Sequence, residues 1–579
     1  MASHDPYGRP LALSEKEKVT ETTSSDAPIE EGESGHVVKS RPLARALEGR
    51  HMQMIAIGGS IGAGLFVGSG GALSNGGPGS LLIGFMITGT MLLFTVQALG
   101  ELAVLYPQNG AMYQYLCRFI DPSWGCAMGW DYAIGWLTVL PFELTAASIT
   151  IDFWEVNVNK GVWITVFFVA LCAIQVFGVR GYGEVEYVLG MIKILACAGF
   201  IILGIIIDCG GVPTDSRGYI GAKYWHDPGA FRNGFKGFAS VLVTAAFAFG
   251  GTELAGLAAA EAADPVKSLP RATKQVFWRI FFFYIVNVFI IGLIVPSNSE
   301  FLLKSTGANT KYSPFVLAIK QAGIKGLPSV FNAVITLAVL SVGNSCMYGS
   351  TRTFQALAQG GMAPKILAYV DRKGRPIPTI ILQLAFGLLA FLNLIPSVGD
   401  QIFNWLLALS GLQSFFTWAS ICLAHIRFRK AWAANGRSIE ELQFRAFAGV
   451  YGSYLALFLN VCCLIAQFYV AAWPIGEGEL SPRARVESFF SAYLTAFVIL
   501  TVFIIWKVYS AAYSTDPRIN HRGWKPYIKI SEIDILTGIR ENTLRDMDEV
   551  RALQQQPKLS VGQKIIGVPR AIWGTLFAP

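Results

Sequence analysis

The stretch Gly58–Gly71 reads GGSIGAGLFVGSGG and lies inside the first long apolar segment of the chain. Half of these fourteen residues are glycine. Glycine costs about 1 kcal/mol relative to alanine in a helix interior, and a chain in lipid must satisfy its own backbone hydrogen bonds. A glycine run at this place therefore needs a reason in helix packing, in ligand binding, or in both.

The composition predicts a membrane protein. The 579 residues are 53% hydrophobic and only 15% charged, with a mean hydropathy of +0.47. Soluble domains carry roughly 25% charge, and a helix needs about 20 mainly apolar residues to cross a bilayer. The sequence predicts an all-α polytopic protein with twelve transmembrane helices, at 52–75, 79–105, 125–150, 161–178, 185–208, 234–260, 276–296, 328–351, 378–395, 402–425, 449–473 and 487–507.

The charge distribution predicts the orientation. A polar, disordered tail over 1–50 precedes the twelve-helix membrane domain at 51–510, and a second polar tail covers 511–579. Twelve spans place both tails on one side. Loops on that side carry fifteen Lys and Arg residues against ten on the other, with dense groups in DRKGRP (371–376) and HIRFRK (425–430). The positive-inside rule then predicts that both termini are cytosolic.

Several function classes find no support in the residues. The nine cysteines lack paired spacing, and the six histidines form no metal cluster, so no metal site is expected. No nucleophile elbow or cofactor motif supports a membrane-embedded enzyme. The net charge of +8 comes mainly from loops and tails and does not indicate nucleic-acid binding.

The glycine run itself admits three explanations. A dinucleotide fingerprint fails, because GAGLFVG has the wrong glycine spacing and follows no strand. A helix-packing face fits, since Gly58/Gly62 and Gly64/Gly68 are both small-xxx-small pairs. The third explanation is a break in the helix, whose freed N–H groups hold an anion. Taken alone, the first span favours packing.

The sixth span changes that balance. It reads TAAFAFGGTELAGLAAAEAADP (244–265), with Gly250-Gly251 and Glu253 well inside an apolar segment. Glycine-interrupted spans that open two blocks of five indicate an inverted-repeat transporter. A carboxylate at this depth is a functional-site hypothesis by default. A hydrogen-bonding brace across the break is the other explanation of Glu253, and the two roles are compatible.

Longer strings resemble a known family. IAIGGSIGAGLFVGSG (55–70), GYIGAKYWHDPGAF (218–231), GTELAGLAAAEAADPVKSLPRATKQVFWRI (251–280), VLSVGNS (339–345), YVDRKGRP (369–376) and FNWLLALSGL (403–412) together resemble the fungal amino-acid permeases of the amino acid-polyamine-organocation superfamily. These strings are most similar to those of the general amino-acid permeases. The resemblance covers about 45–530. It implies a five-plus-five inverted repeat with discontinuous helices 1 and 6 and two further C-terminal helices.

The resemblance also implies an activity and a site. The activity is uptake of amino acids at the plasma membrane by alternating access, driven by the proton gradient without a cofactor. The loop that holds the substrate carboxylate falls on Ser60, Ile61, Gly62, Ala63 and Gly64. The loop that receives the ammonium group falls on Phe247, Ala248, Phe249 and Gly250, and Phe247 takes the place of an aromatic ring that stacks on the substrate.

Two residues depart from the family pattern. Ala63 stands where many relatives have threonine or serine, which removes a hydroxyl and keeps the backbone donor. Gln413 stands where many relatives have a smaller hydroxyl residue, in the span that lines the side-chain pocket. The substrate range is therefore the property that these departures put in question.

Ionisable residues within other spans are candidates for proton coupling. Lys193 matches the position where the superfamily places a lysine instead of a sodium ion; the alternative is a lysine that snorkels to the interface. Glu143 is a candidate for proton coupling or the pocket, or for a hydrogen bond between helices. Glu101 is either one half of a gate ion pair with a basic loop residue such as Arg271 or an ordinary charge at a helix end. Asn344 and Ser345 either line the pathway or bind helices together.

Three functions are consistent with these features of the sequence. The first is a proton symporter with a broad or neutral amino-acid range. The second is a nutrient-sensing receptor on a transporter fold, and the third is a permease of narrow specificity. Lys16 and Lys18, in the N-terminal tail, are candidate ubiquitin acceptors by resemblance, or ordinary charges of a disordered segment.

Overall fold

The computed structural model describes residues 47–303, 313–395, 399–476, 478, 481–512 and 524–555. Lys16 and Lys18 lie outside them. Within the described residues the chain is helical, and the one β-type contact is a bridge between Leu47 and Ala262. The helices are α1 (Gly49–Gly58), α2 (Ser69–Leu105), α3 (Ala111–Phe119), α4 (Pro122–Ile151), α5 (Lys160–Val176), α6 (Gly178–Asp208), α7 (Gly234–Phe249), α8 (Leu254–Ala258), α9 (Pro265–Arg279), α10 (Asn287–Ile294), α11 (Glu300–Leu303), α12 (Pro314–Gln321), α13 (Leu327–Gln359), α14 (Ile377–Gly387), α15 (Gly399–Ala434), α16 (Gly449–Ala472), α17 (Pro482–Ala512) and α18 (Glu541–Gln555).

Short helical segments with wider or tighter turns extend or connect these helices. They are Gly64–Gly68, Asp152–Trp154, Trp225–Gly229, Ala259–Glu261, Ile280–Val286, Lys365–Ala368, Leu388–Leu394, Ile439–Glu441 and Ile530–Glu532. The wide turns at Gly64–Gly68 and Ile280–Val286 continue directly into α2 and α10. Such wide turns are rare in proteins overall, and those that occur frequently lie at functional sites.

The first two predicted spans are joined by a kink within α2. At this kink Gly77 has a φ of +79°, and Pro78 has no N–H to donate. A Cβ atom on Gly77 would lie 2.6 Å from the carbonyl oxygen of Ala230, so the close approach and the backbone angle both require glycine here. The chain therefore changes direction at this kink without a separate loop.

Nine helices or helix combinations among the described residues are long and apolar enough to cross a membrane. The share of buried residues in their most apolar windows ranges from 83% in the α4 span to 11% in α17. Large apolar side chains such as Phe490, Leu500 and Ile504 lie on the exposed face of α17. The protein is thus a multi-pass membrane protein, with α4 at its centre and α17 at its periphery.

Close helix contacts at small residues bring the central helices together. A Cβ on Gly349 of α13 would lie 3.1 Å from the Trp136 ring of α4. A Cβ on Gly84 of α2 would lie 2.8 Å from Val241 of α7. The predicted packing role of the glycine run is also found, because Gly68 packs on Thr244. Small residues allow such close backbone approach in membranes.

Both ends of the described chain lie on one face of the bundle, here called the tail face. The Leu47 N–H donates to the Glu261 carbonyl at 3.1 Å, just beyond α8. After α17, the Ile528 N–H donates to the Ile120 carbonyl at 2.8 Å, and the Tyr106 hydroxyl donates to the Ile535 carbonyl at 2.7 Å. Residues 524–555 of the predicted C-terminal tail therefore pack against the helices.

Candidate functional site

The first helix break follows α1. Helix α1 ends at Gly58, residues 59–62 are not helical, and helical structure resumes at Ala63. The N–H groups of Ser60 and Ile61 both donate to the Ile57 carbonyl at 3.3 Å. Ser60 and Ile61 thus close the end of α1, and the break lies about one residue before the predicted 60–64. The backbone donors at the start of the second half are those from Gly62 onward.

The second helix break separates α7 from α8. Residues 250–253 form a turn, and Gly251 has a φ of +95°. The Glu253 carboxylate accepts the Gly251 N–H at 3.2 and 3.3 Å, so the predicted brace across the break is present. Phe247, Ala248 and Phe249 are helical, and the prediction that they form an unwound loop is wrong. The positive φ of Gly251 places the unwinding after Phe249.

The two breaks face each other at contact distance. A Cβ on Gly64 would lie 2.5 Å from the Cα of Ala248. A Cβ on Gly251 would lie 2.2 Å from the carbonyl oxygen of Gly59. Any side chain at either position would push the two breaks apart, so the glycines serve both backbone freedom and close approach.

A cavity with about 490 Å³ of empty space including open solvent, here called the central cavity, lies beside the two breaks. Seven of the predicted residues line it: Ser60, Gly64, Glu143, Phe247, Gly250, Glu253 and Gln413. The Phe247 ring stands edge-on to Phe142 at 5.1 Å between ring centroids. The Gln413 side chain packs over Gly135 of α4. The cavity thus combines backbone at two helix breaks with carboxylates and an amide.

Other predicted residues support the cavity from behind. Ile61, Gly62, Ala63, Ala248, Phe249 and Lys193 do not line it. The Phe249 ring packs on Tyr284 at 4.2 Å between centroids, and the Tyr284 hydroxyl donates to the Ala248 carbonyl at 3.0 Å. Gly62 packs against Val342 of α13. A side-chain contact between Phe249 and a substrate in this cavity is therefore not available.

Glu143 joins the cavity to a group of buried charges. Its carboxylate is 1% exposed, and neither oxygen has a hydrogen-bond partner among the described residues. Behind it, Lys193 is 1% exposed and interacts electrostatically with Glu143 and Glu186. Lys193 lies one turn beyond Gly190, which packs on Met54 of α1. Lys193 is thus buried beside the first broken helix and does not snorkel to the interface.

Sequence reasoning missed Glu186. This residue is fully buried on α6, and it accepts hydrogen bonds from Ser341 Oγ at 2.7 Å and Asn344 Nδ2 at 2.8 Å. Ser345 lies 3.2 Å from the Tyr182 hydroxyl. The polar string of the eighth span therefore binds α13 to α6, and Asn344 and Ser345 do not line the central cavity.

The sequence reasoning also missed one wall of the cavity. Tyr132, Trp136 and Val139 line it together with Glu143. Their spacing of four, three and four residues is that of one helix face. Starting from Glu143 in the third span, this spacing could have identified the wall. Thr417, whose hydroxyl has no partner among the described residues, lines the cavity from α15.

Two further ion pairs lie toward the tail face. Glu101 contacts His425 at 3.0 Å and Arg429 at 2.6 Å, so the suggested pair with Arg271 is not formed. Arg352, which follows directly after the predicted eighth span, is 4% exposed within α13 and pairs with Glu261 at 3.0 Å. Both pairs stabilise contacts between helices. No group of three or more His, Cys, Asp or Glu side chains suited to a metal ion occurs in the described part.

Helices broken around a polar cavity at mid-membrane define a class, the membrane transporters. The chain matches the amino acid permease family over residues 51–514, and it belongs to that family. This is a family of transporters and not of enzymes. The protein is therefore an amino-acid transporter by family.

The most similar relatives found include fungal permeases. The chain is similar to the general amino-acid permease GAP2 of Candida albicans, with 53% identity over 511 residues that cover 88% of this chain and 83% of the relative. It is also similar to the general amino-acid permease GAP1 of Saccharomyces cerevisiae, with 51% identity over 523 residues, 89% of this chain and 84% of the relative. The cationic amino acid transporter 1 of Schizosaccharomyces pombe is 48% identical over 523 residues, 90% of this chain and 84% of the relative.

Proposed function

We propose that this permease imports amino acids across the plasma membrane by proton symport, with a broad or neutral range and both termini in the cytosol. Family membership supports the transport of amino acids. The names of two relatives, both general amino-acid permeases, favour the broad range. The observation that carries the proposal is the contact between two helix breaks at one polar cavity.

The helices support a count of twelve spans. The kink at Gly77 divides Gly64–Leu105 into two passes, the first of which continues α1 across its break. Helices α5 and α15 add two passes to the spans already described. Ten of the twelve then form the proposed five-plus-five inverted repeat, with helices 1 and 6 discontinuous, and α16 and α17 are the two additional helices.

The substrate carboxylate is proposed to bind at the first break. The first N–H groups of a helix lack acceptors within it, and the helix dipole places positive charge there. Gly64, which lines the cavity, supplies one of these N–H groups, and Gly62 and Ala63 supply the others from behind it. Because Ala63 has no hydroxyl, recognition there is by backbone alone. Every amino acid carries this carboxylate, so the contact selects the class and not a member.

The substrate ammonium is proposed to bind at the second break. Gly250 and Glu253 line the cavity there. A carbonyl oxygen accepts hydrogen bonds through two lone pairs, so the carbonyls near the turn retain capacity beyond their local bonds. The Glu253 carboxylate supplies a charge opposite to that of the ammonium, and the Phe247 ring is placed to stack on the substrate.

Proton coupling is proposed to involve Glu143 and Lys193. A buried carboxylate needs a compensating charge. For Glu143 this charge comes from Lys193 behind it, from the substrate or from a proton. Exchange among these partners links proton binding to substrate binding without a cofactor. Glu186 holds Lys193 in place from the other side.

The side-chain pocket is proposed to lie between α4, α13 and α15. Trp136, Val342 and Gln413 contribute to its walls. Apart from Glu143 and Glu253, the residues that line the cavity carry no negative charge. A dedicated carrier of basic amino acids would need a further carboxylate there, so the lining favours neutral substrates.

Uptake in a permease-null yeast tests the proposal. One labelled amino acid is competed against all twenty at acidic and neutral pH, with and without an uncoupler. We expect broad competition, faster uptake at acidic pH and collapse with the uncoupler. Uptake confined to one substrate would overturn the broad range, and ligand binding without uptake would identify a receptor. Lys193→Ala is expected to abolish both the pH dependence and accumulation against a gradient, and full accumulation in that variant would remove Lys193 from the proton path.

The N-terminal tail is proposed to regulate the permease. Lys16 and Lys18 are the proposed ubiquitin acceptors for endocytosis. Replacement of both by arginine is expected to lengthen the residence of the protein at the plasma membrane after amino acid is added. Unchanged internalisation of that variant would exclude these two lysines.

A further inference from the structure

Two further cavities extend from the central cavity toward the tail face. The second cavity, a narrow one with about 320 Å³ of empty space including open solvent, lies between α3, α4, α8, α13 and α15. Tyr132 and Thr417 line both the central and the second cavity. The two spaces therefore adjoin each other at these two side chains.

The third cavity, of about 1220 Å³ including open solvent, lies at the tail face. It shares Tyr113 with the second cavity. One of its walls consists of α3 and the end of α13. The other wall is the C-terminal segment, through Ile528, Glu532 and Asp534.

The order of the lining residues shows that the three cavities form one row. Along α4, the lining residues pass from Glu143 in the central cavity to Met128 in the second and Pro122 in the third. Along α13, Val342 is followed by Thr353 in the second cavity. Along both helices, the lining residues thus run in the same direction, from mid-membrane to the tail face.

Tyr113 separates the second cavity from the third. Its hydroxyl donates to the Ala356 carbonyl at 2.6 Å. Glycines surround its side chain: a Cβ on Gly110 would lie 2.3 Å from the ring, and a Cβ on Gly129 would lie 3.1 Å from the Tyr113 Cβ. A Cβ on Gly360 would lie 3.0 Å from the hydroxyl oxygen. The ring therefore fills the space between these glycines, and its hydroxyl also accepts a hydrogen bond from Gln114 Nε2 at 2.8 Å.

We propose that this row of cavities is the tail-side half of the translocation pathway and that Tyr113 is the residue that closes it. The proposal rests on the proposed transport function. Release of substrate requires the Tyr113 ring to leave the three glycines and turn toward the third cavity, which has room for it. The C-terminal segment, opposite Arg118, then forms the last wall that the substrate passes.

The chemistry of the third cavity suits a zwitterion. Arg118 faces the carboxylates of Glu532 and Asp534 across it. The Arg118 guanidinium lies 4.7 Å from the centroid of the Tyr106 ring, which fixes its position. A carboxylate and an ammonium group thus both meet an opposite charge at the exit. Glu532 and Asp534 are exposed to solvent, where contacts between charges are weak, which allows rapid release.

Cysteine accessibility tests the closure without relying on transport. In a Cys117→Ser background, Met128→Cys places a thiol in the second cavity and Gln359→Cys places one in the third. Vesicles with the tail face outward are treated with a membrane-impermeant cationic methanethiosulfonate, and each thiol is quantified by mass spectrometry. We expect Tyr113→Ala to raise the labelling rate at position 128 at least about tenfold and to leave position 359 unchanged.

Two variants make the result specific. Tyr115→Ala removes a buried tyrosine of the same helix, whose hydroxyl also donates to a backbone carbonyl at 2.6 Å but which lines none of the three cavities. We expect it to change neither rate. Tyr113→Phe keeps the ring and loses the hydrogen bonds to Ala356 and from Gln114, and each lost bond of about 1 kcal/mol corresponds to an increase of about fivefold in the labelling rate. This variant decides the question if Tyr113→Ala fails to fold.

The outcomes separate this proposal from the proposed function. An unchanged rate at position 128 in both Tyr113 variants would overturn the closure by Tyr113, whatever the uptake. Labelling of position 128 that is faster from the opposite side of the membrane would overturn the direction of the row. If Tyr113→Ala exposes position 128 while the native chain takes up no amino acid, the closure is supported and the transport function fails.

Discussion

Substitution of Gly64 by alanine perturbs the close packing directly beside the two helix breaks. The added Cβ would lie 2.5 Å from the Cα of Ala248 and 2.8 Å from its nitrogen. Carbon atoms in contact are about 3.5–4.0 Å apart, so the breaks must separate by about 1 Å. The neighbour is backbone and cannot rotate away. Overpacking of this size costs about 1–3 kcal/mol, which corresponds to a factor of about 5–150 in affinity.

We expect this change mainly in the KM for uptake. The distance between carboxylate and ammonium is fixed within an amino acid, so separated breaks cannot hold both groups well. The assay is initial uptake of a labelled neutral amino acid in a permease-null yeast, normalised to protein at the cell surface. Gly71→Ala is the matched control, because nothing lies within 4 Å of its Cβ position and alanine is favoured by about 1 kcal/mol in a helix interior.

The result that refutes this reasoning is an unchanged KM for Gly64→Ala at normal surface density. Such a result would show that the contact between the breaks does not set the substrate geometry. A similar loss in Gly71→Ala would show that any added methyl group in this segment is harmful. In either case the close approach of Gly64 to Ala248 would have no specific role.

Three further predictions follow from the site and from one loop. Glu143→Gln is expected to abolish accumulation against a gradient while exchange of labelled for unlabelled substrate persists; accumulation equal to that of the native chain would exclude Glu143 from coupling. Gln413→Ser is expected to enlarge the pocket over Gly135 and to favour bulky side chains in competition assays, whereas an unchanged substrate order would contradict a role in selectivity. Burial alone would raise the pKa of Asp371, but hydrogen bonds from Arg375 and Lys373 outweigh burial and hold this pKa below its ordinary value of 3.8. The stabilisation is therefore complete above that ordinary value and is lost as the pH falls through the lower, folded-state pKa. Asp371→Asn is expected to cost about 1.5–3 kcal/mol near neutral pH, and its difference in melting temperature from the native chain should shrink below about pH 4; a difference that is independent of pH would contradict the assignment.

The sequence predicted the helix breaks because glycine in an apolar span has few explanations. The pairing of Gly58–Gly71 with Gly250-Gly251 located both breaks to within a few residues. Their exact limits depend on hydrogen bonds that no local pattern reveals. The Ile57 carbonyl accepts from both Ser60 and Ile61, and the positive φ lies at Gly251. Each break therefore lies one or more residues away from its predicted position.

The rest of the cavity depends on contacts between distant helices. Glu186 was overlooked because its partners, Ser341 and Asn344, are about 155 residues away along the chain. Arg271 was suggested as the ion-pair partner of Glu101, whereas the fold places Arg429, from the end of α15, beside this carboxylate. The side chains at Tyr132 and Trp136 resemble ordinary core aromatics in the sequence, and only the packing of α4 at the centre places them on a cavity. Polar residues within spans indicate that a partner exists, but the tertiary fold decides which one.

Competition by substrate analogues tests the central claim most directly, namely that the two breaks bind the two charged groups shared by all amino acids. The analogues are a neutral amino acid, its amide without the carboxylate, and its counterpart without the amino group. Each lost charged interaction removes about 1.5–3 kcal/mol, so each analogue should inhibit uptake of the labelled parent at least about tenfold more weakly. Amino acids with altered neutral side chains should still compete. Equal inhibition by either analogue would contradict the account.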